Sequence, residues 1–215
     1  MKNPTPFSSI EPDAPAVMSR RRMFRMLALT GAGLVATSPN APAFFNFFEA
    51  FAPAEPVSLD RLAIPDDWRE RLGPALRPYA SFLNSMGLRQ VKVREVIEPH
   101  TKSRGNVHNT LPPKQYWKNI RNSLKVIDGL SRRLGMDPHE FVSVYRSPAY
   151  NAKCYGAKKH SYHLVNNAID IKYPCAPGKV RAMAREMRKA GIFRGGIGSY
   201  GSFTHVDTRG SNVDW

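Results

Sequence analysis

The sequence predicts an α+β fold, an antiparallel sheet with helices packed on it. Short β-prone runs at 141–145, 168–173 and 203–208 are bounded by turn residues. Two longer segments, one opened by Pro112-Pro113 and one by Pro177, repeat apolar residues at three- and four-residue steps. Strands and helices alternate with short connections, which suits helices laid on a sheet in one domain.

Taken in order, residues 1–43 read as an address and not as part of the fold. Arg20, Arg21 and Arg22 precede a run at 26–37 without a charge, and Ala41-Pro42-Ala43 offers small residues where a signal peptidase cuts. Arg21-Arg22 with Phe24 resembles a twin-arginine export signal. A membrane anchor needs about 20 apolar residues. Gly31, Gly33, Pro39, Asn40 and Pro42 leave this core too short, so no stable span is expected after cleavage. The expected location is periplasmic or otherwise extracytoplasmic.

Hydrophobic residues make up 42% of the chain, enough for a packed core. Without residues 1–43, which hold five basic and two acidic side chains, the net charge falls from +15 to +12. Such a charge suits an acidic polymer, an anionic surface or nucleic acid. Export argues against nucleic acid. Cys154 and Cys175 are too few for a disulfide framework or a zinc finger, and they stand open between one disulfide and two thiols.

Residues 44–56, rich in Phe, Ala and Pro, read as a linker. Residues 59–88 carry helical stretches broken by Pro65, Pro74 and Pro78, so 44–87 is taken as linker and N-terminal extension. The alternation at 91–96 reads as a strand. After Pro112-Pro113, the residues Trp117, Ile120, Leu124, Ile127, Leu130 and Leu134 make one helical face, stopped by Gly135. A strand follows at 141–145, and another at 168–173. The helix opened by Pro177 carries Val180, Met183 and Met187 and stops at Gly191. A glycine-rich turn or strand covers 195–201, and a final strand covers 203–208. No internal repeat is visible.

The chemistry concentrates at 161–170 and 203–207. His163, Asp170 and His205 offer two imidazoles and a carboxylate, and three protein ligands with a fourth position left for water is the pattern of catalytic zinc. In the strand at 168–173, Ile169, Ile171 and Tyr173 share one side, which turns Asp170 to the other. By the same period His205 and Asp207 share one face, their Cα atoms about 7 Å apart.

Ser161-x-His163, then Asn166-x-Ala168-x-Asp170, with a later His205-x-Asp207, resembles the zinc D-alanyl-D-alanine peptidases and murein endopeptidases of the Hedgehog-type fold. Tyr145-Arg146-Ser147-Pro148 with Asn151 resembles that family's upstream segment. The stretch from Phe203 through Arg209, with Trp215, is similar to the twin-arginine-exported murein endopeptidase branch. The resemblance covers about residues 88–215. It implies Zn2+ on His163, Asp170 and His205, and hydrolysis of amides in peptidoglycan stem peptides or cross-links, by an endopeptidase or a D,D-carboxypeptidase. It implies Arg146 as a catalytic group, holding an oxyanion or a substrate carboxylate, and Ser161 as support.

Two positions depart from the family pattern. Its glycine is Asn166, the non-glycine residue most tolerant of a left-handed backbone. The glutamate that many members carry three residues before the last histidine is Ser202 here. Asp207 is then the nearest carboxylate by sequence, as general base or as a group that orients His205. A non-catalytic zinc domain that binds wall peptides or a partner protein is the rival reading. Peptidoglycan peptides are the expected partner, and the oligomeric state is open.

Overall fold

The computed structural model describes residues 56–215, so the export segment at 1–43 and most of the linker at 44–56 lie outside the described residues. The extension contributes α1 (Asp66–Leu72) and α2 (Leu76–Asn84). All three of its prolines sit where helices tolerate them. Pro65 caps α1, Pro74 lies in the turn Gly73–Ala75, and Pro78 is in the first turn of α2. Helix α2 buries Leu76, Tyr79, Ala80 and Leu83, spaced along one face. With Leu59 and Ile64 they join the same core as the rest of the described chain.

The segment read as a strand at 91–96 is instead a helix, α3 (Val93–Ile97). Val93, Val96 and Ile97 fit helical spacing as well as the alternation fits a strand. Glu95 then decides: its side chain accepts the Lys92 backbone N–H at 3.3 Å, closing the first turn. A small hairpin follows, β1 (Ser103–Arg104) against β2 (Val107–His108).

Helix α4 (Ile120–Leu134) begins after a 3-10 stretch at Lys114–Asn119 and ends at Gly135. Then come β3 (Glu140–Ser143), α5 (Pro148–Ala152), β4 (Ala168–Lys172), α6 (Pro177–Lys189), β5 (Gly196–Ser199), β6 (Thr204–Asp207) and β7 (Val213–Asp214). The fold is therefore α+β. The sheet order is β3-β4-β6-β5-β7. Its first three pairings are antiparallel and β5–β7 is parallel, so the strand at 203–208 is not the last and the sheet is not wholly antiparallel.

The sheet has two unlike faces. Ile169, Ile171, Ile197 and Val206 lie on one and are fully buried under α4 and α6, which add Leu124, Ile127, Leu130, Val180, Ala184 and Met187. Burial of each large side chain contributes about 1.5–3 kcal/mol. The other face carries the polar row. Among the described residues no helix is long and apolar enough to cross a membrane. Cys154 and Cys175 are unpaired thiols.

Candidate metal centre

The register of the sheet builds the site. Ser143 on β3 pairs with Asp170 on β4, Asp170 with His205 on β6, and His205 with Gly198 on β5. Paired residues of antiparallel strands carry their Cβ atoms about 4.5–5.5 Å apart on the same face. Asp170 and His205 thus meet by register alone.

His163 reaches them from the 3-10 turn Tyr162–Val165. Ser161 caps that turn, its hydroxyl accepting the His163 N–H at 3.3 Å. Asn166 ends it at φ 56°, ψ 42°, in the left-handed region. Its buried side chain donates to Tyr116 O at 3.2 Å, so asparagine fills the glycine position without losing the turn.

Three acceptor atoms converge. His163 Nε2 is 3.3 Å from both His205 Nδ1 and Asp170 Oδ1, and His205 Nδ1 is 2.8 Å from Asp170 Oδ1. All three side chains are buried. A tetrahedral site with bonds of about 2.0–2.1 Å spaces its ligand atoms by about 3.3 Å, so the trio has the dimensions to hold a metal.

The far side of each ring tests the fit. His163 Nδ1 lies 2.5 Å from Val144 O, a carbonyl that can only accept, so the proton sits on Nδ1. His205 Nε2 lies 3.0 Å from Asp207 Oδ2 and donates to it in the same way. In the neutral rings both inner nitrogens are then bare lone pairs, facing an ionised carboxylate oxygen. Three acceptors packed this closely are relieved by a proton on His205 Nδ1 or by a metal cation, and a metal would satisfy all three.

Burial would raise the Asp170 carboxyl, but the two imidazoles hold it well below the usual carboxylate range. Burial lowers His163, with Asp170 opposing. Burial would also lower His205, but hydrogen bonds to Asp170 and Asp207 outweigh it and hold that imidazole above its ordinary value.

Arg146 backs the carboxylate. Its Nη2 donates to Asp170 Oδ2, its Nε to Ser143 Oγ at 2.7 Å, and its backbone N–H to His163 O at 3.1 Å. Oδ2 of Asp170 is thereby occupied, and Oδ1 is left to the centre.

Asp207 is fully buried and surrounded by donors. Oδ1 accepts from Gly196 N at 3.0 Å, Arg209 N at 3.1 Å and Arg209 Nε at 2.8 Å, and Oδ2 accepts from His205 Nε2 and Arg209 Nη2. A carboxylate offers about four lone-pair sites. Burial would raise its pKa, yet Arg209, His205 and the Gly196 amide hold it well below the usual range. Ser202 is exposed in the loop before β6. Among the described residues, Asp170 and Asp207 are the only carboxylates hydrogen-bonded to the two imidazoles.

Arg209, to which sequence reasoning gave no role, clamps Asp207 while stacked between Tyr162 at 4.2 Å and Trp215 at 5.1 Å. The signal was present in the strand period, since His205, Asp207 and Arg209 follow at steps of two.

An α+β sheet that presents two imidazoles and a carboxylate, each oriented from behind, defines a candidate metallohydrolase. The chain belongs to the Peptidase M15 family, whose model matches residues 89–207. That span contains Arg146, His163, Asp170, His205 and Asp207. No curated protein and no solved structure matches the chain.

Proposed function

We propose that the chain is an exported zinc peptidase that hydrolyses amide bonds in peptidoglycan stem peptides or cross-links, on a fold of the Hedgehog/D,D-peptidase type. The observation that carries this reading is the convergence of three acceptor atoms whose outer partners fix both imidazole tautomers. His163, Asp170 and His205 would hold the zinc. A zinc ion held there supplies Lewis acidity, which activates water and polarises a carbonyl near neutral pH.

The protein's own groups do the rest. Val144 O and Asp207 hold the proton of each neutral ring on its outer nitrogen, so that the inner nitrogens are the ones offered to a metal. Arg146 steadies Asp170 through Nη2, and among the described residues its Nη1 makes no hydrogen bond. That nitrogen is free to donate to a substrate oxygen or a developing oxyanion. Asp207 acts as the orienting group, not as the base, because its lone pairs are filled. The net reaction adds water across the C–N bond and releases a carboxylate and an amine.

In this reading residues 1–43 direct twin-arginine export to the periplasm and are removed, 44–87 are linker and extension, and 88–215 form the peptidase domain. The +12 charge that remains suits carboxylate-bearing peptides among anionic polymers.

One observation favours a second reading, a non-catalytic zinc domain that binds wall peptides: among the described residues, no carboxylate at the centre is free to accept a proton. Incubating the mature protein with purified muropeptides, with and without chelator, separates the two. Products that vanish with chelator support hydrolysis and their masses name the bond. Intact muropeptides retained by zinc-loaded protein support binding alone.

A further inference from the structure

Beside the metal centre lies an aromatic surface with no part in the chemistry above. Trp215 is 45% exposed, yet it is fixed from several sides. Its N–H donates to Ile197 O at 3.3 Å and its carbonyl accepts from Ser199 N at 2.7 Å, continuing the β5–β7 ladder. Its indole Nε1–H donates to Tyr200 Oη at 3.0 Å. The ring lies over Arg209 and has its centroid 5.0 Å from that of His205.

The floor beneath this ring is glycine for a steric reason. A Cβ at Gly196 would come within 2.9 Å of the indole, and one at Gly198 within 2.8 Å. Gly198 is the residue paired with His205. The bare strand therefore lets the indole settle beside the ligand row.

Tyr200 is 42% exposed and stacks on Phe203, with centroids 4.4 Å apart and planes at 13°. Its oxygen accepts the Trp215 proton, which leaves its own O–H to donate elsewhere. A half-exposed indole and a phenol, both held in place, make a preorganised wall with one apolar face and one donor.

We propose that Trp215 and Tyr200 form the subsite for the peptide residue that flanks the reacting amide. The proposal rests on the peptidase reading. Extended peptide residues advance about 3.3–3.6 Å each. With the reacting amide at the His163, Asp170 and His205 atoms, the indole, whose centroid is 5.0 Å from that of the His205 ring, is within reach of the adjacent residue. The indole face takes a small apolar side chain, such as the methyl of alanine, and the Tyr200 O–H donates to a backbone carbonyl of that residue.

The test compares the mature wild-type protein with Trp215→Phe, Trp215→Ala and Tyr200→Phe. Each is checked for zinc content, then for steady-state cleavage of one purified muropeptide. Indole emission is followed during titration with a reduced-amide analogue of that muropeptide. Zinc should be unchanged in all four. Trp215→Ala should raise KM by about ten-fold or more, with a smaller change in kcat. Tyr200→Phe, which keeps the ring stack, should raise KM by roughly three- to ten-fold. The analogue should shift emission in wild type, and the shift should be lost in Trp215→Phe, which keeps Trp68 and Trp117. Unchanged KM in Trp215→Ala and Tyr200→Phe overturns the subsite while leaving the peptidase reading intact. If Trp215→Ala loses zinc through the Arg209 contact, the zinc-loaded Trp215→Phe and Tyr200→Phe carry the test, and unchanged KM with an unchanged emission shift overturns it. An emission shift in wild type without any cleavage sinks the peptidase reading, and the flanking-residue subsite with it, leaving only a contact between wall peptides and the indole.

Discussion

Replacing Asp207 by asparagine separates an orienting carboxylate from a general base. The substitution keeps the shape and puts an NH2 group in place of one oxygen. On the Oδ2 side that NH2 would face His205 Nε2–H and Arg209 Nη2; on the Oδ1 side it would face the Gly196 and Arg209 amides and Arg209 Nε. Either placement sets a donor against at least two donors. A buried donor left without its partner costs about 1–3 kcal/mol, so a loss of about 2–6 kcal/mol in stability is expected. With the NH2 on the Oδ2 side, the His205 ring also loses the acceptor that keeps its proton on Nε2. A change of this kind behind a metal ligand typically costs about 10–100-fold in metal affinity. Urea unfolding gives the first quantity, and zinc titration against a competing chelator gives the second. If stability and zinc affinity match wild type while turnover falls about 10²–10⁴-fold, Asp207 is the base that strand alternation alone suggests, and the orienting role is wrong.

Three further outcomes follow from other groups. His205 sits above its ordinary pKa without metal, so a cation must displace a proton: zinc affinity should fall as pH drops through that raised value, with proton release on binding, whereas a flat profile would contradict the assignment of the lone pairs. His100 is fully buried, and burial pushes it down to about 3, opposed only in part by the Thr110 backbone. The unfolded chain binds that proton below about pH 6.5 and the folded chain does not, so this residue's contribution is whole above 6.5 and falls by about 1.4 kcal/mol per pH unit below it. His100→Phe should flatten stability against pH between about 6.5 and 4 relative to wild type, and an unchanged slope would show that another group controls it. For export, changing Arg21 and Arg22 together to lysine should trap the uncleaved precursor inside the cell, and normal export of that variant would point to the general secretory route.

What the sequence made legible depended on the range of the interaction. The helix after Pro112-Pro113 was plain because its apolar spacing persists from Trp117 to Leu134. The sides of Asp170, His205 and Asp207 followed from the strand period. Their meeting with His163 followed only from the family pattern, since nothing local brings residue 163 to residue 205. The segment at 91–96 misled because a few valines satisfy both periods, and the Glu95 contact that decides between them is a matter of backbone geometry. The strand β7 is two residues long and pairs in parallel across the sheet edge, too short for a pattern. The saturation of Asp207 was hidden because its donors come from Gly196 and from the Arg209 guanidinium, whose stacking on Tyr162 and Trp215 is a tertiary contact.

The most direct test of the whole account is a zinc titration. Mature protein stripped with chelator is supplied with zinc in steps while muropeptide cleavage is followed by mass. A zinc peptidase centred on His163, Asp170 and His205 predicts no cleavage at the start, a linear rise and a plateau at one zinc per chain. His163→Ala should stay inactive throughout. Cleavage that persists in the stripped protein, or a fully loaded wild-type protein that leaves every muropeptide intact, would contradict it.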